Sequence, residues 1–244
     1  IGHLLQLLVL YEACTGDDRF RTAGFDLVWD AKAQFHYTTR SLAEVVVRQI
    51  RRNASGGIAC EPGLIFFPCN NHPHVALKLM EGMQQGEWGA EHLKWEQFSL
   101  SSYRAVLGGG AIKLFYHHPS NLALPLGDAG LDGWSLLWYY PWASNTNTVQ
   151  AIWQTTARQI DWELFARPPE SMLETNRGSR CCGLSKVPPV AMASFLYPAA
   201  LVCGDHDAAG RLRAWLLQRA GTDEAGGRYL RVDPNHRLVA DTLE

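Results

Sequence analysis

The stretch Gly56-Gly57-Ile58-Ala59-Cys60-Glu61-Pro62-Gly63-Leu64-Ile65-Phe66-Phe67-Pro68-Cys69-Asn70-Asn71-His72-Pro73-His74 decides how the rest of the chain is read. Between Cys60 and His74 it holds two cysteines, a carboxylate, two amides and two histidines, with apolar and aromatic residues among them. That mix suits a dry pocket lined by a few ionisable groups, the usual form of a small-molecule site. On both sides the chain is patterned mostly as helices able to hold such a pocket.

Upstream, Gly2–Thr15 reads as an apolar helix. Leu4, Leu5, Leu7, Leu8 and Tyr11 cover more than one of its faces, which requires burial nearly all round. Gly16-Asp17-Asp18 ends it in a turn. Phe25–Asp30 alternates apolar and acidic residues as a short strand does. Residues 40–53 form an amphipathic helix with Leu42, Val45, Val46 and Ile50 inward, opened by Ser41 and Glu44 in the spacing of a capping box. The cysteine stretch follows as a loop. Downstream a helix is expected over 72–86, with Pro73 in its first turn, where the missing N–H is not needed. Further helices are expected at 90–102, 132–142, 145–160, 190–203, 208–220 and 235–243, strands at 111–116 and 226–232, and an irregular connection over 168–189.

Apolar or aromatic helices (2–15, 72–86, 132–142, 190–203) thus alternate with amphipathic ones (40–53, 90–102, 145–160, 208–220). An α/α toroid has this pattern: inner helices touch neighbours on all sides and outer ones keep a solvated face. An irregular helical bundle is the alternative. The expected fold class is all-α, an α/α toroid of the six-hairpin barrel type with short β segments in its connections, as one domain over residues 1–244. The helix pairs are fewer than a closed six-hairpin barrel needs. The chain also opens at Ile1 with no capping residue ahead of its first helix. Both lead to the expectation that the first part of the natural domain precedes Ile1.

Composition bounds the function. Hydrophobic residues make up 47% and charged residues 19%, which gives a sizeable core and argues against disorder. The formal charge is -2, from 22 basic and 24 acidic residues, with no basic block, so a nucleic-acid surface is not expected. No apolar run reaches the roughly 18 residues that span a bilayer, and nothing in the sequence assigns a compartment. The six cysteines (Cys14, Cys60, Cys69, Cys181, Cys182, Cys203) fit neither a zinc ribbon nor a small disulfide scaffold. Most are therefore free thiols, with a Cys60–Cys69 disulfide left open.

A thiolate is a strong nucleophile and a usable base. Cys60 stands beside Glu61, and Cys69 stands three residues before His72, so a histidine can lower the thiol's pKa or serve as its base. The plain alternative makes both cysteines small buried hydrophobes. Cys60, Cys69, His72 and His74 do not have a zinc site's spacing, and no metal is expected. His72 is either catalytic or a solvated ring at a helix start, His74 a surface or core residue, and His117-His118 a strand end. Glu61 is held extended by Pro62, either on the surface or orienting a partner. Asn70 and Asn71 can satisfy loop backbone. His3 on its apolar helix would, taken alone, be a core histidine. Trp134, Trp138, Tyr139, Tyr140 and Trp142 form a dense aromatic cluster. It packs a core or lines a pocket, where aromatic faces stabilise a developing cation.

Cys60-Glu61-Pro62, then aromatic residues, then Cys69-Asn70 nine positions after the first cysteine, resembles the signature of the linalool dehydratase/isomerase family. Gly2-His3 opening an apolar helix, Ser41-Leu42-Ala43 before an amphipathic one, and Asp132-Gly133-Trp134 opening an aromatic one are similar to that family too. The resemblance covers residues 2–142 best. It implies an α/α barrel acting without a cofactor, which removes water from or isomerises monoterpene alcohols. It also implies a ring-shaped homo-oligomer with shared active sites, to which a segment ahead of Ile1 would add an aspartate and tyrosines. Carried onto this sequence, it places His3, Cys60 and Cys69 in the pocket with Phe66 or Phe67 lining it. The expected catalytic set is then Cys60, Cys69, His3 and Glu61, with Phe66, Phe67, Asn70, Trp134 and Tyr139 around a small hydrophobic alcohol. Two other readings stay open. One is a carbohydrate-processing toroid using Asp128 or Asp132 as acids, and the other a helical interaction module with structural cysteines.

Overall fold

The computed structural model describes residues 1–166 except 31, 103 and 105, and residues 189–222, 228–233 and 236–239. Cys181, Cys182 and nearly all of the connection expected over 168–189 lie outside the described residues. The chain is mostly helical, with nine helices among the described residues and small sheets between them. It divides into two compact units. No helix among the described residues is long and apolar enough to cross a membrane.

The first unit takes in Ile1–Tyr103, Phe115–Ala123 and Pro141–Ser144. Its helices are α1 (Gly2–Thr15), α2 (Arg19–Thr22), α3 (Thr39–Arg52), α4 (Phe67–Gly82) and α5 (Gly89–Ser102). Leu5, Leu8 and Val9 of α1, Leu42, Val46 and Ile50 of α3, and Ala76, Leu77 and Met80 of α4 form one buried cluster. Gly16, at φ +70, closes α1 in the left-handed conformation glycine favours. The capping box of α3 lies three residues earlier than Ser41–Glu44. Ser41 N donates to Thr38 Oγ1 at 3.1 Å, and Thr38 N donates to Ser41 Oγ at 2.9 Å. The expected strand β1 (Phe25–Asp30) pairs antiparallel with β2 (Ala33–Tyr37). That second strand carries no apolar alternation, because its middle residues face solvent.

The cysteine stretch is not all loop. Leu64 N donates to Glu61 O at 3.0 Å, and Gly63 has φ +74. Glu61-Pro62-Gly63-Leu64 is therefore a tight turn with proline and left-handed glycine at its two centres. The chain continues as β3 (Leu64–Phe66), which pairs antiparallel with a strand at Phe115–His117, and enters α4 directly. That helix starts at Phe67, five residues before the expected 72. Pro68 occupies its first turn, and Pro73 falls inside the helix, where it supplies no N–H to the Cys69 carbonyl.

The second unit takes in Arg104–Leu114, Leu124–Tyr140 and the described residues from Asn145 onward. Its strand β4 (Leu107–Gly109) pairs in parallel with Leu126–Asp128; β5 is Phe115–His117 of the first unit. Of the strand expected over 111–116 only the end forms, Phe115 and Tyr116 in β5, because the Ala111 and Ile112 N–H groups go instead to the Asp132 carboxylate, at 2.5 and 3.1 Å. Asp132 lies on α6 (Ala129–Tyr139), which Asp128 caps. A Cβ on Gly133 would stand 2.8 Å from the Phe195 carbonyl carbon, so glycine there lets α6 and α8 (Pro189–Val202) meet backbone to backbone. The chain ends in an antiparallel sheet whose last strand, His236–Val239, replaces the helix expected over 235–243. Leu238 faces Leu230 and Val239 faces Tyr229 across that ladder. The pairing partner outweighs the local helical pattern.

Candidate active site

Cys60 and Cys69 come together where the Glu61–Leu64 turn meets the first turn of α4. Both are free thiols. Cys60 is exposed and Cys69 half-buried. The Cys69 thiol donates to the Cys60 sulfur, and the backbone N–H groups of Phe66 and Cys60 also point at it. These donors outweigh the cost of burial and lower the Cys60 pKa to about 6. Cys69 moves the other way. Its bond to Cys60, its burial and the Cys60 charge hold its proton far above the usual thiol range. The pair therefore gives up a first proton more readily than an ordinary thiol and holds the second more tightly. When protonated, Cys60 has the Leu64 carbonyl 3.8 Å away as acceptor. The Glu61 carboxylate is exposed, and its charge works against ionisation of both thiols.

His3 reaches this junction for a steric reason. A Cβ on Gly2 would lie 2.8 Å from Pro73 Cδ, so glycine allows α1 to touch α4 at the proline. One residue on, the His3 ring lies against the His72 ring with centroids 3.9 Å apart. His72 is one helical turn beyond Cys69, on the same side of α4. It is buried rather than solvated, and Gln6 Oε1 stands 2.5 Å from its Nδ1. Burial, then the nearby His3, lowers the His72 pKa to about 3, and burial also lowers that of His3.

A second histidine pair lies deeper in the same unit. His74 and His92 share a hydrogen bond of 2.9 Å between their Nδ1 atoms, and Trp142 stacks over both. His92 Nε2 is 3.6 Å from Glu81. Burial keeps both rings neutral by lowering their pKa values. This is a core arrangement, the second of the two places left open for His74.

The remaining candidates divide by surroundings. Phe66 is half-buried and stacks on Phe115 at 4.7 Å, while Phe67 is buried against Trp95. The Asn70 amide is taken up by backbone: it accepts from Ile58 N at 2.6 Å and donates to Ile58 O and Phe66 O at 3.0 Å each. It fastens the loop that carries Cys60 to the helix that carries Cys69. Trp134 and Tyr139 belong to the second unit, where Trp134 stacks on Phe195 and Tyr139 is buried. Asp128 and Asp132 are buried there and bound to backbone N–H groups, and Thr156 adds a hydroxyl donor to Asp132 at 2.8 Å. Burial raises the Asp132 pKa to about 7. Among the described residues, no group of three or more His, Cys, Asp or Glu side chains is placed to hold a metal ion.

Sequence reasoning left Gln6 out altogether and left His72 undecided. The available signal was one polar residue on the inward side of an apolar helix, three positions after His3. No curated protein matches the chain. The family model for linalool dehydratase/isomerase matches residues 1–233, a span that contains the thiol pair, the Gly2-His3 contact and α6. By that match the chain belongs to the linalool dehydratase/isomerase family, which is named for an enzyme.

Proposed function

We propose that the chain is a dehydratase/isomerase of hydrophobic, terpenoid alcohols and that Cys60 and Cys69 are its acid–base pair. The observation that carries this reading is the meeting of two free thiols, Cys60 and Cys69, where the Glu61–Leu64 turn joins the first turn of α4, beside the Gly2-His3 contact. The Cys69 thiol gives its proton to the substrate hydroxyl. The C–O bond breaks, and its electron pair leaves with water. The Cys60 thiolate takes a proton from the adjacent carbon, and that C–H pair becomes the new double bond. Cys60 then returns the proton to Cys69 across their hydrogen bond, so the pair ends as it began. His3, neutral beside this site, helps shape it, with Phe66 lining the apolar side. Glu61 opposes a second negative charge on the pair and so keeps one proton in place.

Such chemistry needs no cofactor. The helices belong, in this proposal, to an α/α toroid of the six-hairpin barrel type, and the protein works as a homo-oligomer with shared active sites. Buried, backbone-bound Asp128 and Asp132 give the carbohydrate reading no support. The test is conversion of a linalool-type tertiary alcohol, by protein dialysed against chelator, to an alkene or an isomeric alcohol. A chain that turns over glycosides and leaves the alcohol untouched contradicts the proposal.

A further inference from the structure

His117-His118 and the turn after them have no part in the scheme above. They end β5 and lead into β6 (Leu122–Ala123), which pairs with it antiparallel, His117 opposite Leu122. The turn between the strands is fixed at several points. Asn121 N donates to His118 O at 3.2 Å, with Pro119 and Ser120 between them. Asn121 stands at φ +54, in the left-handed region that asparagine tolerates and a β-branched residue does not. The Tyr116 hydroxyl donates to Asn121 Oδ1, and Ser120 Oγ lies 2.6 Å from His117 Nδ1.

This exposed turn meets the one that follows Cys60. His118 N donates to Gly63 O at 2.8 Å, and a Cβ on Gly63 would lie 3.2 Å from Pro119 Cγ and 3.6 Å from His117 Nε2. The β3–β5 ladder keeps the two turns in register, with Leu64 opposite His117 and Phe66 opposite Phe115. Cys60 lies along the other edge of β3. Its N–H donates to Leu64 O at 3.1 Å, and the Phe66 N–H points at its sulfur. Alternate residues of an antiparallel strand send their backbone groups to the same edge, so Leu64 and Phe66 turn theirs from β5 toward Cys60. Asn70 ties the Cys60 loop to α4 ahead of the cysteine, at Ile58. Behind the cysteine the chain is tied at Gly63. We propose that the His118–Asn121 turn positions Cys60: by holding Gly63 it sets the Glu61–Leu64 turn so that the Cys60 sulfur stays against the Phe66 N–H and the Cys69 thiol, with Pro119 and Asn121 as positioning residues. The consequence for turnover rests on the reading of Cys60 and Cys69 as the acid–base pair; the placing of the sulfur does not.

The experiment follows iodoacetamide alkylation of Cys60 against pH, read by mass spectrometry of its peptide, and turnover of a linalool-type tertiary alcohol, both on the full chain. Asn121→Val puts a β-branched residue into left-handed backbone, whereas Asn121→Gly keeps that conformation open. Pro119→Gly removes the contact with Gly63. Cys69 and Glu61, whose charges act on Cys60, are unchanged in all of these. A thiolate that loses a donor is less stable, so Asn121→Val and Pro119→Gly should raise the alkylation midpoint by roughly one unit and lower kcat more than they change KM. Asn121→Gly should stay close to wild type. Pro119 is at the exposed tip, so Pro119→Gly decides the matter if Asn121→Val does not fold. A turn that only adds stability would lower the urea midpoint and leave the alkylation of folded protein where it was. An unmoved alkylation midpoint in folded Pro119→Gly therefore overturns the inference, and with Cys60→Ala and Cys69→Ala inactive it overturns this inference alone. A raised midpoint together with retained turnover in the cysteine variants overturns the acid–base reading and supports the positioning of Cys60.

Discussion

The acidity of Cys60 is a matter of three donors on one sulfur: the Cys69 thiol, which contributes most, and two backbone N–H groups. The turn at Pro62-Gly63 brings the sulfur to the N-terminal end of α4, where N–H groups have no helical partners. Alkylation of Cys60 by iodoacetamide should therefore rise through about pH 6. In Cys69→Ala the midpoint should move up toward the ordinary thiol range, since the largest cause of the shift is gone. An unchanged midpoint in that variant would mean that Cys69 does not hold the shared proton. At this scale the sequence was informative but incomplete. Cys60, Cys69 and His3 stand out by residue type, spacing and resemblance. Their protonation states depend on contacts between residues far apart in sequence, and so does the burial of His72, which Gln6 and His3 impose from another helix.

At the level of elements, the junction of α1 and α4 is the critical one. Gly2→Ala would place a Cβ 2.8 Å from the Pro73 ring, and overpacking of this kind costs about 1–3 kcal/mol. Urea unfolding of Gly2→Ala should show a loss in that range, accompanied by lower turnover, because the His3–His72 stack shifts with the helix. Wild-type stability together with wild-type turnover would remove the steric account of the Gly-His pair. The same elements show where sequence reading stops. The start of α4 was misplaced because Pro73 looked like a first-turn proline, while Pro68 had already opened the helix. The last strand was read as a helix because its ladder partner is a separate segment. Asp132-Gly133-Trp134 fits the family pattern as a structural knot: the carboxylate holds backbone, the glycine admits a neighbouring helix and the indole stacks on Phe195.

For the molecule as a whole, the helical class was legible from hydrophobic periodicity, and the family from a few short motifs spread along the chain. Burial of the helices follows the alternation only in part: α1, expected to be buried nearly all round, leaves Leu7 65% exposed and buries Leu5, Leu8 and Val9 on one side. α4 is buried along most of its length, whereas α3 and α7 (Thr146–Gln159) keep a polar face. The central claim concerns what this scaffold holds at one point, a proton shared by two thiols and used to expel water from an alcohol. It is tested most directly by the turnover of a linalool-type tertiary alcohol by the wild-type chain and by Cys60→Ala and Cys69→Ala. General acid–base groups each contribute about 10²–10⁴-fold. Each substitution should lower kcat by at least about 10²-fold in protein that still folds, and turnover close to wild type in either variant would contradict the account.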